Sequence, residues 1–293
     1  MPDRPVFRFA PSPNGELHLG HALSAIVGHE RAEAANGRFL LRIEDIDAGR
    51  TRPEYVAGIF DDLRWLGIAW ELPVLFQSRR MDAYREAAAR LEALGLLYPC
   101  FATRSDIQAA ARDNEVDPDG ALLYPGLWKG CAPAEVAEAK ATGLPYAMRL
   151  DMEAARRLAT EKLGGARLTF TEIDEDGTQR AIAAQPERWG DAVVVRKDVP
   201  TSYHLAVVDD DAWQGVTHIT RGRDLYAATD LHRLLQVLLD LPEPVYHHHR
   251  LITDESGRKL AKSAKDTSLA ALREQGASPA DVRRLIGLGN TLA

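Results

Sequence analysis

The sequence of 293 residues contains only two cysteines, Cys100 and Cys131, and lacks any long apolar run. Two cysteines are too few for a disulfide framework, and a transmembrane helix needs about eighteen consecutive apolar residues. The N-terminus carries Asp3, Arg4 and Arg8 where a secretory signal would need an apolar stretch. We therefore expect a soluble, cytoplasmic protein with no membrane partner.

The chain also lacks an excess of basic residues. It has 36 Lys and Arg against 43 Asp and Glu, which gives a net charge of −7 at pH 7. Unselective binding to nucleic acid depends on many basic contacts to phosphates, so this balance argues against it. A local basic patch that docks one RNA is still compatible with this net charge. The length and the 45% of hydrophobic residues suffice for one large domain or two small ones.

Short apolar runs alternate with amphipathic stretches in the first part of the chain. Residues 6–9 and 39–43 are predicted strands, an alanine-rich helix is predicted up to residue 35, and further helices are predicted at residues 53–65 and 82–94. Strands that alternate with helices form parallel sheets. We therefore predict an α/β fold with a Rossmann-like parallel sheet that binds a nucleotide.

This alternation breaks in the middle of the chain. Residues 168–173 and 180–184 flank an Asp-Gly turn, which predicts a β-hairpin. Afterwards we predict strands at residues 192–196 and 205–208, and a long helix near residues 230–239. The predicted organisation has three segments: a first half of the nucleotide-binding domain at residues 1–98, an inserted α+β module at residues 99–189, and a second half at residues 190–293.

Residues 8–21 combine a strand, a rigid turn and a helix start. A helix N-terminus offers unpaired N–H groups and a positive dipole end, both of which favour phosphate. Gly20 leaves room for a base or phosphate to approach the backbone. His18 and His21 are three residues apart on one helix face, where they can donate hydrogen bonds to phosphate oxygens. An isolated pair of this kind is more often structural, so the prediction depends on the whole segment.

This segment resembles the HIGH signature of class I aminoacyl-tRNA synthetases, in the version found in the glutamate and glutamine branch. Residues 257–263, with two lysines three apart, resemble the KMSKS loop of the same class. The resemblance implies that the chain uses ATP with Mg²⁺, and that the loop lysines neutralise departing pyrophosphate. It assigns catalysis to His18, His21, Lys259 and Lys262, and nucleotide binding to Pro11, His18, Gly20, His21, Lys262 and Ser263.

Three further stretches, residues 42–47, 201–210 and 216–225, resemble the glutamate branch. By resemblance, Glu44 contacts the α-ammonium of the amino acid. Arginine forks suit carboxylates, so Arg8 and Arg221 are natural partners for the two ends of a dicarboxylic amino acid, which favours glutamate over glutamine. The substrate-binding residues that the resemblance implies are Arg8, Phe9, Ala10, Pro11, Ser12, Glu44, Tyr203 and Arg221. For Asp45 and Asp47 the sequence supports two alternatives equally. They could bind a ligand, or they could belong to a charged strand-to-helix connection in which Asp47 caps the helix.

Truncated members of this family, the glutamyl-Q tRNA(Asp) synthetases, often carry zinc on a Cys-x-Cys and Tyr-x-x-x-Cys pattern. Here Cys100 and Tyr124 match, other residues replace two thiolates, and Cys131 is three residues out of register. This is a poor ligand set for tetrahedral zinc, so we predict a degraded zinc site and no metal held by the protein. The run of histidines at residues 247–249 is predicted to be extended and mostly structural, with one of them near ATP.

The resemblance extends from Arg8 to about Ser268, and the sequence stops at Ala293, where a full glutamyl-tRNA synthetase would continue into an anticodon-binding domain. It implies a monomeric ligase that makes glutamyl-adenylate from L-glutamate and ATP and transfers glutamate to queuosine in the anticodon stem-loop of tRNA(Asp). One alternative is a minimal enzyme that charges the 3′ end of tRNA(Glu). Another is a non-catalytic sensor of glutamate or ATP, although binding alone does not require transition-state groups.

Overall fold

The computed structural model describes residues 4–111, 115–252 and 267–289. Ten strands are found in this part of the chain: β1 (Val6–Phe9), β2 (Arg38–Ile43), β3 (Glu71–Phe76), β4 (Leu97–Cys100), β5 (Ala147–Leu150), β6 (Thr169–Ile173), β7 (Gln179–Ala183), β8 (Val193–Val195), β9 (His218–Gly222) and β10 (Val245–His249).

Ten α-helices connect or flank these strands: α1 (Leu19–Ala34), α2 (Pro53–Trp65), α3 (Met81–Ala93), α4 (Arg104–Ala110), α5 (Pro133–Ala141), α6 (Met152–Lys162), α7 (Tyr203–Trp213), α8 (Ala228–Leu238), α9 (Leu269–Glu274) and α10 (Pro279–Leu285). Short 3₁₀ turns occur at Gln77–Arg79, Pro186–Trp189 and Arg223–Leu225. None of the helices just given is long and apolar enough to cross a membrane.

Seven strands form one sheet in the order β3-β2-β1-β9-β10-β6-β7. Each neighbouring pair from β3 to β6 is parallel, and only β6 and β7 are antiparallel. The predicted α/β architecture with a Rossmann-like parallel sheet is therefore confirmed. Because the strands from β3 to β6 run in the same direction, their carboxyl ends meet at one rim, where ligands bind in open α/β sheets.

Side chains of β1 alternate between two parts of the core, as expected for a strand buried on both faces. Phe7 and Phe9 pack with apolar residues of α1, β2 and α2. Val6 instead packs with Leu40 and with Tyr246 of β10. The strand is thereby fixed between two layers, and its carboxyl end, at Phe9, is held at the rim.

The predicted strand at residues 205–208 is wrong, because these residues lie in α7. Ser202 caps this helix by accepting a hydrogen bond from the Leu205 N–H at 3.4 Å. The apolar residues Leu205–Val208 are followed by Asp210 and Asp211, which are also buried. A helix buried around its circumference shows no amphipathic period, so a four-residue apolar run cannot be told from a strand.

The strands in the middle of the chain are divided between two sheets. The predicted hairpin is confirmed as β6 and β7, but β6 pairs with β10 and so extends the main sheet. In contrast, β8 pairs with β5 in a second sheet of order β4-β5-β8, whose pairs are antiparallel. The predicted boundaries at residues 98 and 190 stay predictions. Strand pairs are formed across the boundary at residue 190, since β6 pairs with β10 and β5 pairs with β8.

Two glycines should respond in opposite ways to replacement by alanine. A Cβ at Gly37 would lie 2.6 Å from Pro5 O and 3.3 Å from Ala32 O, both backbone atoms, whereas a Cβ at Gly58 in α2 meets nothing within 4 Å. We expect Gly37→Ala to destabilise the fold by about 1–3 kcal/mol. Gly58→Ala should stabilise it by about 0.5–1 kcal/mol through helix propensity. Urea denaturation followed by circular dichroism measures both, and shifts of the same sign would contradict the packing described.

Candidate active site

A cavity of about 610 Å³ opens at the carboxyl rim, between β1, β9 and the start of α1. Every predicted site residue within the described ranges lines it: Arg8, Phe9, Ala10, Pro11, Ser12, His18, Gly20, His21, Glu44, Tyr203 and Arg221. Lys259, Lys262 and Ser263 lie outside the described residues. The structure thus brings together segments that are about 200 residues apart in sequence, while the individual roles stay predictions.

The two histidines of the first motif cap the helix rather than both lying inside it. His18 is the N-cap of α1, and its Nδ1 accepts a hydrogen bond from the Gly20 N–H at 3.0 Å. The Nδ1 of His21 in turn accepts from the His18 N–H at 3.2 Å. The rings lie 3.9 Å apart. Backbone N–H groups that were expected to face phosphate are thus bonded to imidazoles, and the ring proton of each neutral histidine is on Nε2.

Gly20 is required by this cap. A Cβ at Gly20 would lie 2.9 Å from His18 Cε1 and 3.1 Å from His18 Nδ1. A side chain at this position would require the His18 ring to shift. The His18 ring therefore occupies the space next to Gly20 that the sequence suggested for a base or phosphate.

Buried charges on β1, β2 and α7 form a network behind the cavity. Asp211 accepts from Arg8 Nε at 3.0 Å and from Arg42 Nη1 at 2.7 Å. Arg42, whose side chain has no solvent exposure, also donates to Glu44 Oε1 at 3.2 Å. The two arginines lower the pKa of the Asp211 carboxyl against the opposing effect of its burial. Asp211 therefore stays ionised and fixes both guanidinium groups.

Nearby positive charges offset the burial of Glu44 less than they offset the burial of Asp211. Its burial is the largest effect and raises its pKa above the usual range for glutamate, in spite of the attraction of Arg42 and Arg8. Asp211 nearby adds repulsion. A cation placed in the cavity beside Glu44 would supply the missing stabilisation of its carboxylate.

Arg221, near the end of β9, is a buried positive charge that lacks an acidic partner among the described residues. Its guanidinium donates from Nη2 to Thr229 Oγ1 at 2.7 Å, from Nη1 to His232 Nδ1 at 3.2 Å and from Nε to His248 Nε2 at 3.4 Å. These acceptors are neutral groups, and no carboxylate of the described residues pairs with it. An arginine has five N–H groups, so two remain, one on each Nη, and these can donate to a carboxylate.

Tyr203, at the first position of α7, lines the same cavity as these two charged groups. Burial raises the pKa of its phenol, while the field of Arg221 opposes the shift and that of Glu44 adds to it. The phenol therefore stays protonated and offers the cavity both a hydrogen-bond donor and an acceptor.

Sequence reasoning missed several residues at this cavity. Ser24 lines it, and its hydroxyl is 2.7 Å from His249 Nε2. Its position one helical turn after Gly20 and His21 was a usable signal. The run at residues 247–249 is extended as predicted, and of its three histidines only His249 is among the cavity residues of the described chain. Asp211 and Arg42 left no local signal, since they meet only in the folded chain.

The other acidic residues after β2 do not line this cavity. Asp45 accepts from the Ser78 N–H at 2.8 Å and from the Ser78 hydroxyl at 2.6 Å, so it joins two connections of the sheet. Of the two alternatives for Asp47, the helix cap is excluded, since Arg52 is the N-cap of α2. Asp47 instead accepts from Arg196 at 3.5 Å.

The two cysteines lie away from the cavity. Cys100 is buried at the end of β4. Burial is the main cause that raises the pKa of the Tyr124 phenol, and the neighbouring Cys100 adds to it. The Cys131 thiol is 3.6 Å from the Leu127 carbonyl oxygen. Within the described part of the chain, no three His, Cys, Asp or Glu side chains are placed to hold a metal ion.

Comparison with known sequences connects this cavity to one family. The family described as tRNA synthetases class I (E and Q), catalytic domain, matches residues 6–291. A Rhodobacter capsulatus protein named glutamyl-Q tRNA(Asp) synthetase is 50% identical over 289 residues, which cover 97% of this chain and 100% of that protein. An Aquifex aeolicus protein named Glutamate--tRNA ligase is 37% identical over 272 residues, which cover 93% of this chain and 54% of that protein.

Solved structures agree at the level of the fold. The crystal structure of glutamate-tRNA synthetase from Elizabethkingia anophelis aligns with a TM-score of 0.77 at 24% identity. The alignment covers 98% of this chain and 62% of that protein, so this chain spans about three fifths of its length. At this level of identity the likeness shows a shared fold.

The charge network predicts an unequal effect of two Asp→Asn substitutions. Asp211→Asn leaves Arg8 and Arg42 buried without their shared counter-charge and should destabilise the protein by about 3–5 kcal/mol. Asp61→Asn removes an exposed pair with Arg64 at 3.3 Å and should change stability by less than about 1 kcal/mol. Chemical denaturation at pH 7 gives both values. Similar small losses for the two variants would show that the network is not a constraint on the fold.

Proposed function

Because this chain belongs to the class I tRNA synthetases of the E and Q group, we propose that it activates glutamate with ATP and transfers it to a tRNA. One observation carries the choice of glutamate. The cavity holds a buried carboxylate with too little counter-charge, Glu44, and a buried guanidinium with two unused N–H groups and no acidic partner among the described residues, Arg221. An amino acid with an ammonium group and a side-chain carboxylate supplies both missing charges.

In this arrangement Glu44 holds the α-ammonium and Arg221 holds the side-chain carboxylate. Glutamine would give Arg221 a single acceptor oxygen for two N–H groups and place its own NH₂ against them. A site built around a hydrogen bond discriminates strongly against an analogue that cannot form it, because its buried polar groups are then left unpaired. Arg8 already gives two N–H groups to Asp211, so Arg221 is the better candidate for the discriminating contact.

The proposed first step joins glutamate to AMP. An oxygen of the α-carboxylate attacks the α-phosphorus of ATP, and the bond to pyrophosphate breaks. His18 and His21 donate from Nε2 to phosphate oxygens, on which charge increases in the transition state. Lys259 and Lys262 are proposed to neutralise the departing pyrophosphate. Mg²⁺ enters with ATP, since it keeps mostly phosphate and water oxygens as ligands. In the second step a hydroxyl of the RNA attacks the activated carbonyl and AMP leaves.

For the RNA we propose queuosine in the anticodon of tRNA(Asp), with the protein acting as a monomer. The support is the name of the Rhodobacter capsulatus relative, which this chain covers completely at 50% identity. The second candidate is esterification at the 3′ end of tRNA(Glu), supported by the more distant Glutamate--tRNA ligase of Aquifex aeolicus. A sensor without catalysis is the third, and glutamate-dependent exchange of pyrophosphate into ATP would exclude it.

The role of Arg221 is tested by its replacement with alanine. We expect Arg221→Ala to raise the KM for glutamate in ATP–pyrophosphate exchange by about 30-fold or more, equivalent to about 2 kcal/mol, with little change in the KM for ATP. Arg223→Ala, two residues further on and exposed, is the matched control and should change neither constant by more than about twofold. Equal activation of glutamine and glutamate by the wild-type protein would refute this assignment.

The acceptor is identified by following the label. The protein is incubated with ATP, labelled glutamate and tRNA(Asp) that either contains or lacks queuosine. We expect label only on the queuosine-containing tRNA, and we expect it to survive removal of the 3′-terminal adenosine. Single-stranded loops expose base edges and modifications to a protein, so this recognition is chemically reasonable. Label that is lost with the terminal adenosine would instead establish the charging enzyme.

A further inference from the structure

Beneath the cavity, Arg221 belongs to a cluster of buried imidazoles. Thr229 and His232 come from α8, and His248 comes from β10 next to β9. His232 Nε2 is 3.1 Å from His204 Nδ1 of α7, and His248 Nδ1 is 3.0 Å from Glu172 Oε1 of β6. Two elements, α8 and β10, therefore contact the guanidinium directly, and α7 and β6 are connected to it through the imidazoles.

Proton positions in this cluster follow from the guanidinium, which can only donate. His232 Nδ1 accepts from Arg221 Nη1, so its proton is on Nε2 and is donated to His204 Nδ1. The Thr229 hydroxyl accepts from Arg221 Nη2 and can donate to His248 Nε2 at 3.0 Å. The proton of His248 is then on Nδ1 and bonds to Glu172. One set of neutral tautomers accounts for these contacts, with the single lone pair of His248 Nε2 shared between Arg221 Nε at 3.4 Å and the Thr229 hydroxyl at 3.0 Å.

Burial keeps these imidazoles neutral. It is the main cause that lowers the pKa of His248 to about 4 and that of His204 to about 4. The pKa of His232 is lowered well below its usual range, first by burial and then by the positive charge of Arg221. A protonated His232 would direct an N–H at a guanidinium N–H, and the bond that holds Arg221 would be lost.

We propose that His232 and His248 are positioning residues that determine specificity, because they fix Arg221 with neutral acceptors and leave its charge for the side-chain carboxylate of the substrate. This rests on the proposed function, in which Arg221 binds that carboxylate. An acidic residue in either position would also fix Arg221, but it would neutralise the guanidinium. Only a neutral acceptor can both fix the position of Arg221 and leave its positive charge available to the substrate.

The experiment compares two substitutions at one position that differ only in charge. In His232→Asn the amide oxygen replaces Nδ1 as a neutral acceptor, and in His232→Asp a carboxylate of the same shape replaces it. Glutamate binding is measured by calorimetry and catalysis by ATP–pyrophosphate exchange. We expect His232→Asn to stay within about threefold of the wild type for glutamate, and His232→Asp to bind glutamate about 100-fold more weakly, with the KM for ATP unchanged in both.

Controls separate position from general damage. His218→Asn and His218→Asp introduce the same pair at the start of β9, away from Arg221, and should leave glutamate affinity within about twofold. A second pair, His248→Gln and His248→Glu, presents the neutral and the charged acceptor at the Nε2 position and should show the same order. It gives an independent answer if either variant at position 232 fails to fold in thermal melts.

The outcomes distinguish this inference from the function on which it rests. Equal glutamate affinity for the Asn and Asp variants, with the same result for the Gln and Glu variants, would overturn the positioning role. Wild-type protein that binds glutamate but shows no exchange would overturn the proposed activation while the comparison of variants still stands. Wild-type protein that binds no glutamate would overturn both.

Discussion

The rim of the sheet depends on one buried cation, Arg42. Its side chain is fully enclosed, and it contacts Asp211 of α7 at 2.7 Å and Glu44 just beyond β2 at 3.2 Å. Removing such a group from water costs several kcal/mol, which only close opposite charges can offset. The carboxylates must therefore lie where they do, and since Asp211 also binds Arg8 of β1, the ends of two strands are fixed relative to α7.

Arg42 and Arg221 show how the same side chain acquires different functions from its neighbours. Both are buried near the carboxyl rim, but Arg42 is surrounded by carboxylates and Arg221 by a hydroxyl and two imidazoles. The positive charge of Arg42 is used within the fold. The charge of Arg221 is still available, in a cavity where low polarity makes each interaction stronger than in water. The buried Glu44 has the opposite charge, so the cavity can bind a molecule with an ammonium and a carboxylate.

Much of this site was predictable because its main segment is continuous. Residues 8–21 contain strand, turn and helix start in one stretch, and the placement of His18, Gly20 and Glu44 at a single cavity followed from the rule that parallel strands end at one rim. The network behind them was not predictable, because Arg42 and Asp211 are 169 residues apart and meet through packing alone. The apolar run at residues 205–208 predicts a strand, because a short run of this kind does not show whether it belongs to a strand or to a buried helix. Their surroundings, not their pattern, determine that this part of α7 is buried.

Three histidines at or beneath the cavity, His18, His21 and His232, share one proton placement. His18 and His21 each accept a backbone N–H at Nδ1, and His232 accepts Arg221 at the same atom, so each of the three carries its proton on Nε2. An imidazolium has no lone pair, so a protonated ring could not accept these bonds. The imidazoles then contribute fixed N–H dipoles rather than charge. Positive charge for a phosphate or carboxylate has to come from side chains such as Arg221.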